Sequence, residues 1–550
     1  MDKRLSLALL LTAIIVAITP VIFPTPRRPS ATTASKTTAA VTPQPVNSNQ
    51  AGVVSFKSLS DSVAGVTATV PLSEASQITS VEAPRAIYRF SSLGAAPVAV
   101  VMKGYRNLSP AGGQVELKVP NRTLIRYALV AHGDTIPLER AAFHGSVGEQ
   151  KNGETIVTYR GSVDGENIAI SYTVVPDKYM LHVAGRVEGN SARYLLIDMP
   201  SSLPITERDT LGDLRTRSYS FKPQRDNARG VPFAKLDPGE RKLEPGPITW
   251  AAVRNKYFVV GALNPTGSTF AELTLTGGAR TSKVATTASA VVVKELKDGT
   301  FAFDLYTGPQ QSTELMSMGR DFDHVNPYGW TFLQPIVNPI AALCIRLLLW
   351  MHEHLSLSYG WVLVIFGVAI RVALWPLNQS AMRSSLKMQE IQPKLAEVQK
   401  KYKDSPDKQR EAMMRVYQEA GASPFTALSG CLPMLIPMPV LFALFFVFQN
   451  TIEFRGVSFL WLADISTKDP FYILPVLMGI SMYLLSWIGL RNAPPNPQAK
   501  MMSLMFPVMM TFVLANMASG LNLYYTAQNL AALPQQWLLA KERQKMKRTS

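Results

Sequence analysis

The sequence predicts a multi-domain membrane protein: an antiparallel β-sandwich domain outside the membrane, an α-helical transmembrane bundle with six spans in total, and a cytoplasmic helical hairpin. Three observations carry that reading. The apolar residues make up 47% of the 550, but they crowd into 335–540, while 60–320 has the texture of a soluble protein. Within 60–320, short alternating runs separated by turn residues recur, as antiparallel sheet requires. Within 335–540, basic clusters abut apolar runs, as they do where cytoplasmic charge orients membrane helices.

Leu5 to Phe23 is the first apolar stretch, behind Lys3 and Arg4. A cleaved signal peptide competes with an uncleaved anchor over 1–24. The h-region would be long for a signal, and Pro24, Pro26, Arg27, Arg28 and Pro29 stand where a small-residue cleavage site would be, so the anchor is favoured. Residues 25–60, rich in Thr, Ser, Ala and Pro, suit a disordered linker.

The β-sandwich domain is expected over 61–330. Gln114–Val119, Thr155–Tyr159, Asn167–Val175 and Tyr257–Val260 read as strands, and Asp164-Gly165 and Asn152-Gly153 as hairpin turns. A stretch of about 250 residues is ample for a core. Segment 335–354 follows. Its clean apolar part, Ile340–Trp350, is short and interrupted by Arg346, so an interfacial amphipathic helix fits better than a span. Were it to span, the basic segment 383–415 would fall outside, against the positive-inside rule.

A five-span core is expected over 357–540. Its apolar runs are 360–377, Leu428–Phe448, Phe471–Leu490, Met501–Leu514 and Gly520–Leu539. With the first anchor they place both termini inside and the β-domain outside. The hairpin occupies 379–425 and a basic cytoplasmic tail 541–550. In the hairpin Met388, Ile391, Leu395, Val398 and Tyr402 form one narrow apolar face, and Met413, Tyr417 and Ala420 a second. Two helices stapled together account for such stripes. Docking of a partner on the basic surface, which includes Lys394, Lys401, Lys408 and Arg410, is the added possibility. The net charge of +16 would suit nucleic acid, but its clusters lie beside membrane spans and suit anionic lipids instead.

Arg371 is the most informative single residue. It stands well inside the run 360–377. Roughly 20 helical residues cross a hydrocarbon core about 30 Å thick. A central arginine costs about +2.5 to +3.5 kcal/mol against lipid, which favours a place facing protein or a wet cavity. Snorkelling to a headgroup is the alternative. The last span adds Asn522, Tyr525, Thr526 and Asn529 on a face roughly 100° wide. Helix–helix hydrogen bonds or a hydrophilic groove shared with Arg371 would each satisfy them. Met501, Met502, Met505, Met509 and Met510 cluster in the preceding run, where methionine can pack varied apolar guests or fill a bundle core.

Catalytic motifs are missing from the sequence. His132, His144, His182, His324, His352 and His354 have no metal-ligand spacing, and Cys344 and Cys431 build no disulfide framework. There is no GxSxG, phosphate loop or HExxH. No enzyme activity, cofactor or metal is expected.

The run Gly430-Cys431-Leu432-Pro433-Met434-Leu435-Ile436-Pro437-Met438-Pro439-Val440-Leu441-Phe442-Ala443-Leu444 resembles the third-span signature of the YidC family of membrane protein insertases, in its large Gram-negative form. Phe459–Ser466, Asp469–Pro475, Asp407–Arg410, Arg371 with Pro376-Leu377, and Ser519–Tyr525 leading to Asn529 are similar to the family too. Trp250–Leu263 and Tyr306–Pro309 extend the likeness, more loosely, into the β-domain, which the resemblance makes periplasmic. Two departures stand out. Pro437 replaces a frequent glutamine, and Gly367, one turn before Arg371, lacks a hydroxyl that many members carry.

The resemblance implies insertion of nascent membrane proteins into the inner membrane, alone or with the Sec translocon, and without covalent chemistry. It makes the ribosome a partner and the signal recognition particle receptor a further candidate. It also implies a hydrophilic substrate groove of Arg371, Asn522, Tyr525, Thr526, Gln528 and Asn529, and an apolar slide including Leu435, Phe442, Met505 and Met509. A transporter or channel is the rival reading. A membrane-anchored periplasmic carbohydrate-active enzyme is another, because the family's β-domain looks like a sugar-mutarotase sandwich.

Overall fold

The computed structural model describes residues 76–149, 153–189, 191–281, 284–326, 334–376, 379, 394–395, 397–403, 405–419, 438–490 and 497–549. The expected anchor and linker, the first half of the third span with Leu435, Pro437 and Cys431, and Met388, Ile391 and Ala420 of the hairpin lie outside them. So does the Asn152 turn. The chain divides into two compact units between Gly308 and Pro309, earlier than the boundary expected at 330.

The first unit is built of antiparallel sheet. A four-stranded sheet runs Ile78–Glu82, Ala86–Ser91, Ala96–Arg106 and Gln114–Lys118 in spatial order. A fourteen-stranded sheet takes in the strands from Arg126–Ala131 to Thr300–Pro309. Alternation decides which face is buried. In Glu166–Val174, Ile168, Ile170, Tyr172 and Val174 are buried and the residues between them are not. The turn before this strand is a two-residue hairpin. Asp164 (φ 48°) and Gly165 (φ 82°) link Val163 to its partner Glu166, the left-handed pair that an Asp-Gly hairpin turn needs. The two sheets meet where Phe90 packs on Tyr172, ring centroids 4.9 Å apart, and the Tyr172 hydroxyl donates to the Ala95 carbonyl at 2.7 Å. The unit is a β-sandwich.

In the second unit the helices are α2 (Ser312–Ser317), α3 (Gln334–Leu355), α4 (Tyr359–Ala373), α5 (Pro406–Glu419), α6 (Met438–Asn450), α7 (Ile473–Leu490), α8 (Pro497–Leu514) and α9 (Ser519–Thr549), with α1 (Thr210–Thr216) back in the β unit. Among the described residues, α7 is the helix long and apolar enough to cross a membrane. Tyr359–Ala373, Pro439–Asn450 and Lys500–Leu514 are shorter apolar helices. One core joins them: Val337, Ala341, Cys344 and Leu348 of α3, Leu363 and Phe366 of α4, Ala443 and Val447 of α6, Met478 of α7 and Tyr524 of α9. The segment expected at 335–354 is therefore a 22-residue helix with one face in the bundle core, while Leu343, Leu347 and Trp350 stay exposed on the other.

Small residues set the closest approaches. A Cβ on Gly367 of α4 would lie 3.0 Å from the Tyr524 carbonyl oxygen of α9, and one on Gly479 of α7 would collide with Thr511 Oγ1 of α8. Close packing through small residues is how apolar helices associate when water offers no driving force. The loop between α6 and α7 is tightly tied. Buried Asp469 accepts from the backbone N–H of Phe471 (3.0 Å) and Leu474 (2.7 Å) and from Trp461 Nε1 (3.3 Å), which caps the start of α7. Ser519 and Gly520, opening α9, donate to the Thr467 and Ile465 carbonyls. The family-like run 459–475 thus acts as a structural knot. Glu453, just beyond α6, accepts from the Ser312 N–H at 3.0 Å, and burial pushes its carboxyl above the ordinary range.

Candidate functional site

Arg371 occupies the last turn of α4, half-buried, with Val368 and Val372 exposed beside it and Trp361 and Ile365 exposed further back along the same helix. Its Nη2 donates to Gln535 Oε1 of α9 at 2.8 Å. Gln535 is fully buried, and its Nε2 donates to the Trp375 carbonyl and to Gln379 Oε1, both at 3.3 Å. The Nε of Arg371 is buried without a hydrogen-bond partner among the described residues. No carboxylate pairs with the guanidinium among them either, so its charge meets a neutral amide.

The polar stripe of α9 takes other partners. Asn522 is fully buried and donates to the Leu514 carbonyl at 3.0 Å, with its Oδ1 left over. Thr526 Oγ1 bonds back to the Asn522 carbonyl at 2.8 Å. Asn529 Nδ2 donates to Ser481 Oγ of α7 at 3.0 Å, and Ser481 in turn donates to the Met478 carbonyl. Tyr525 packs against the core and meets the Tyr524 ring edge-on, centroids 5.5 Å apart. Among the described residues no hydrogen bond joins this stripe to Arg371; the partners it has there are helix–helix and back-bonding ones.

Helical geometry explains the separation. Counted at about 100° per residue, Gln535 lies roughly 80° beyond the edge of the Asn522–Asn529 stripe, while Gln528 lies within about 20° of Gln535. Helix α9 packs against α4 on one side and α7 on another, and the stripe's Asn529 goes to α7. Gln528 is buried, and its backbone N would be 3.4 Å from a Cβ on Gly367. Gln535 was missed by sequence reasoning, although Gln528 and Gln535, seven residues apart, repeat on one face two turns on.

The remaining candidates are scattered. Phe442 of α6 packs partly buried against the bundle core. Met505 and Met509 lie on the outward face of α8 at 50% and 41% exposure, beside Met501, Val508 and Phe512. An apolar belt that wide on a helix surface suits lipid or an apolar guest. In the hairpin, Leu395 and Tyr417 bury each other with Met413 and Val416 packed on them, and Gln409 Nε2 donates to the Gln399 carbonyl at 3.2 Å. The stapling role of the stripes is visible in those contacts. Lys394, Lys401, Lys408 and Arg410 are all exposed around them.

Comparison with known proteins bears on all of this. Residues 79–343 match a family model described as the YidC periplasmic domain, and residues 350–547 one described as 60Kd inner membrane protein. A protein of Chlorobaculum tepidum named membrane protein insertase YidC is 32% identical over 409 residues, which span 69% of this chain and 67% of the relative. One of the same name from Chlorobium luteolum is 33% identical, over 68% of this chain and 66% of the relative. The chain thus spans about two thirds of the length of these relatives. A crystal structure of an active YidC insertase with its first transmembrane domain resolved is 18% identical, over 88% of this chain and 99% of that one, at a TM-score of 0.34. The two family models between them take in both compact units, and the chain belongs to the YidC family of membrane protein insertases.

Proposed function

We propose that this chain inserts nascent membrane proteins into the inner membrane, and that Arg371 supplies the positive charge that eases polar or acidic segments of the client across. The observation that carries this is the company Arg371 keeps: an apolar helix around it and an uncharged glutamine, Gln535, as its hydrogen-bond partner. A guanidinium paired with a carboxylate would be spent. One paired with an amide keeps its full charge for a transient guest. The groove is centred on Arg371 and backed by the buried Gln528 and Gln535, with Tyr525 and the stripe Asn522, Thr526 and Asn529 on the adjoining face of α9. Phe442, Leu435, Met505 and Met509 offer the client's hydrophobic segment an apolar path, and its burial in lipid, at about 25 cal/mol per Å², drives the process.

The topology that goes with this function has six spans, both termini in the cytoplasm and the β-sandwich in the periplasm. The basic hairpin then lies in the cytoplasm, where exposed Lys394, Lys401, Lys408 and Arg410 suit docking of the ribosome, of a targeting receptor, or of anionic lipid. The Sec translocon is the natural lateral partner. A transporter or channel would need a path opening to both sides in turn, and no observation favours one.

Insertion into liposomes holding only this protein tests the reading. An acidic residue crossing the bilayer centre costs about +2.5 to +3.5 kcal/mol. If Arg371 offsets half of it, Arg371→Ala slows clients with acidic translocated tails about tenfold. Neutral-tailed clients change little, and Arg371→Lys keeps part of the activity. Wild-type rates for acidic-tailed clients in a folded Arg371→Ala protein would refute the electrostatic role.

A further inference from the structure

Gln535 makes three hydrogen bonds with no freedom in their direction. The Trp375 carbonyl can only accept, so the amide nitrogen of Gln535 must face it, and Gln379 Oε1 takes a second contact from the same nitrogen. The amide oxygen is thereby turned to Arg371, 2.8 Å from Nη2. Zero exposure of Gln535 removes water as a competitor. The guanidinium has five N–H donors. Gln535 occupies one of them and leaves the others, the buried Nε–H included, without partners among the described residues.

We propose that Gln535 is a positioning residue for Arg371. It locks the guanidinium at one N–H, withholds any neutralising charge, and so leaves the other Nη donors to a carboxylate of the client, while the Nε–H stays buried. The assignment rests on the insertase reading of Arg371 given above, but it makes a separate physical claim about how that side chain is held. An acceptor was needed there, and a neutral one. Glutamate would hold the fork and cancel its charge, an apolar residue would leave the fork loose, and either would leave the Trp375 carbonyl and Gln379 without the Gln535 donor.

The test uses the full chain in lipid nanodiscs and liposomes. An arginine-selective dicarbonyl, phenylglyoxal, reports how firmly Arg371 is held, read by mass spectrometry of the Arg371 peptide. Gln535→Leu is expected to raise the labelling rate of Arg371 several-fold and to slow acidic-tailed clients about tenfold, the loss of one charge-assisted hydrogen bond. Neutral-tailed clients should stay within about twofold of wild type. Gln535→Glu is expected to lower labelling below wild type and to bring acidic-tailed clients down to the Arg371→Ala level. Unchanged labelling in Gln535→Leu overturns the proposal, as does an equal fall for both client classes, which marks a packing role alone. Should Gln535→Leu fail to accumulate, the near-isosteric Gln535→Glu decides, and wild-type labelling with wild-type acidic-tail insertion in it overturns the proposal. If Arg371→Ala itself proves harmless to acidic-tailed clients, the insertase role of the charge falls, and the labelling rates still say whether Gln535 holds Arg371.

Discussion

Adding one methyl group at Gly367 probes the contact between α4 and α9. A Cβ there would stand 3.0 Å from the Tyr524 carbonyl oxygen, 3.3 Å from Ala527 Cβ and 3.4 Å from the Gln528 nitrogen. Two of these three atoms are α9 backbone and cannot rotate away, so α4 and α9 must part by about 0.4 Å to restore ordinary contact. Alanine improves intrinsic helix propensity by about 0.8–1.0 kcal/mol. Overpacking of this kind costs about 1–3 kcal/mol. Gly367→Ala should therefore destabilise the helical unit by about 1 kcal/mol, a fall of roughly 2–4 °C in Tm. The same parting would stretch the Arg371–Gln535 bond from 2.8 Å to the long edge of the hydrogen-bond range, so insertion of acidic-tailed clients should slow by more than the stability loss explains. Gly489→Ala is the control. Its Cβ would meet Gln536 Oε1 at 3.5 Å, an ordinary contact, and it should hold or raise Tm. Thermal unfolding in detergent with single-client insertion rates would read both. A Tm above wild type for Gly367→Ala, matching Gly489→Ala, would refute the claim that α4 and α9 touch at Gly367. By the same geometry Gly367→Ser, which adds the hydroxyl many family members carry, should cost more than alanine, because serine recovers only part of alanine's helix-propensity gain.

Other perturbations have definite expected outcomes. Burial raises the Glu453 carboxyl above its ordinary 4.5, so its contribution to stability is fully present below 4.5 and is lost as pH rises through the folded value. Glu453→Gln keeps an acceptor for the Ser312 N–H, and should raise Tm at neutral pH and flatten the Tm–pH curve above 4.5. Asp469→Ala strands two backbone donors at the start of α7, at about 1–3 kcal/mol each, and should lower Tm far more than Asp469→Asn. Leu395→Ala opens the hairpin contact with Tyr417, and should cost about 2 kcal/mol locally and speed proteolysis within 394–419 without changing the Tm of the bundle. Cysteines placed in 383–415 should label only from the cytoplasmic side. Labelling from the periplasm would sink the six-span topology.

Much of this protein was legible in the sequence because it rests on local periodicity. Alternation marked a strand at Asn167–Val175, one residue on from the observed Glu166–Val174, and Asp164-Gly165 announced its hairpin, since left-handed φ at both positions suits few other pairs. Spacings of three and four marked Leu395 and Tyr417 as facing residues. Arg371 was conspicuous because charge inside an apolar run is costly wherever it lies. The partners of these residues were another matter. A helix read alone yields the angle between side chains, not which neighbour each angle meets. Asn522, Thr526 and Asn529 share a face, and only the packing of α9 between α4 and α7 directs Asn529 to Ser481 while Arg371 meets Gln535 from the other side. Gly367 looked like a lost hydroxyl until the Tyr524 carbonyl was seen 3.0 Å from where its Cβ would stand. Residue 535 lies 164 positions from residue 371 in the chain. Nothing in periodicity or composition links positions so far apart. Their pairing comes from helices brought together by small residues, and from a buried amide whose own oxygen and nitrogen had to find partners.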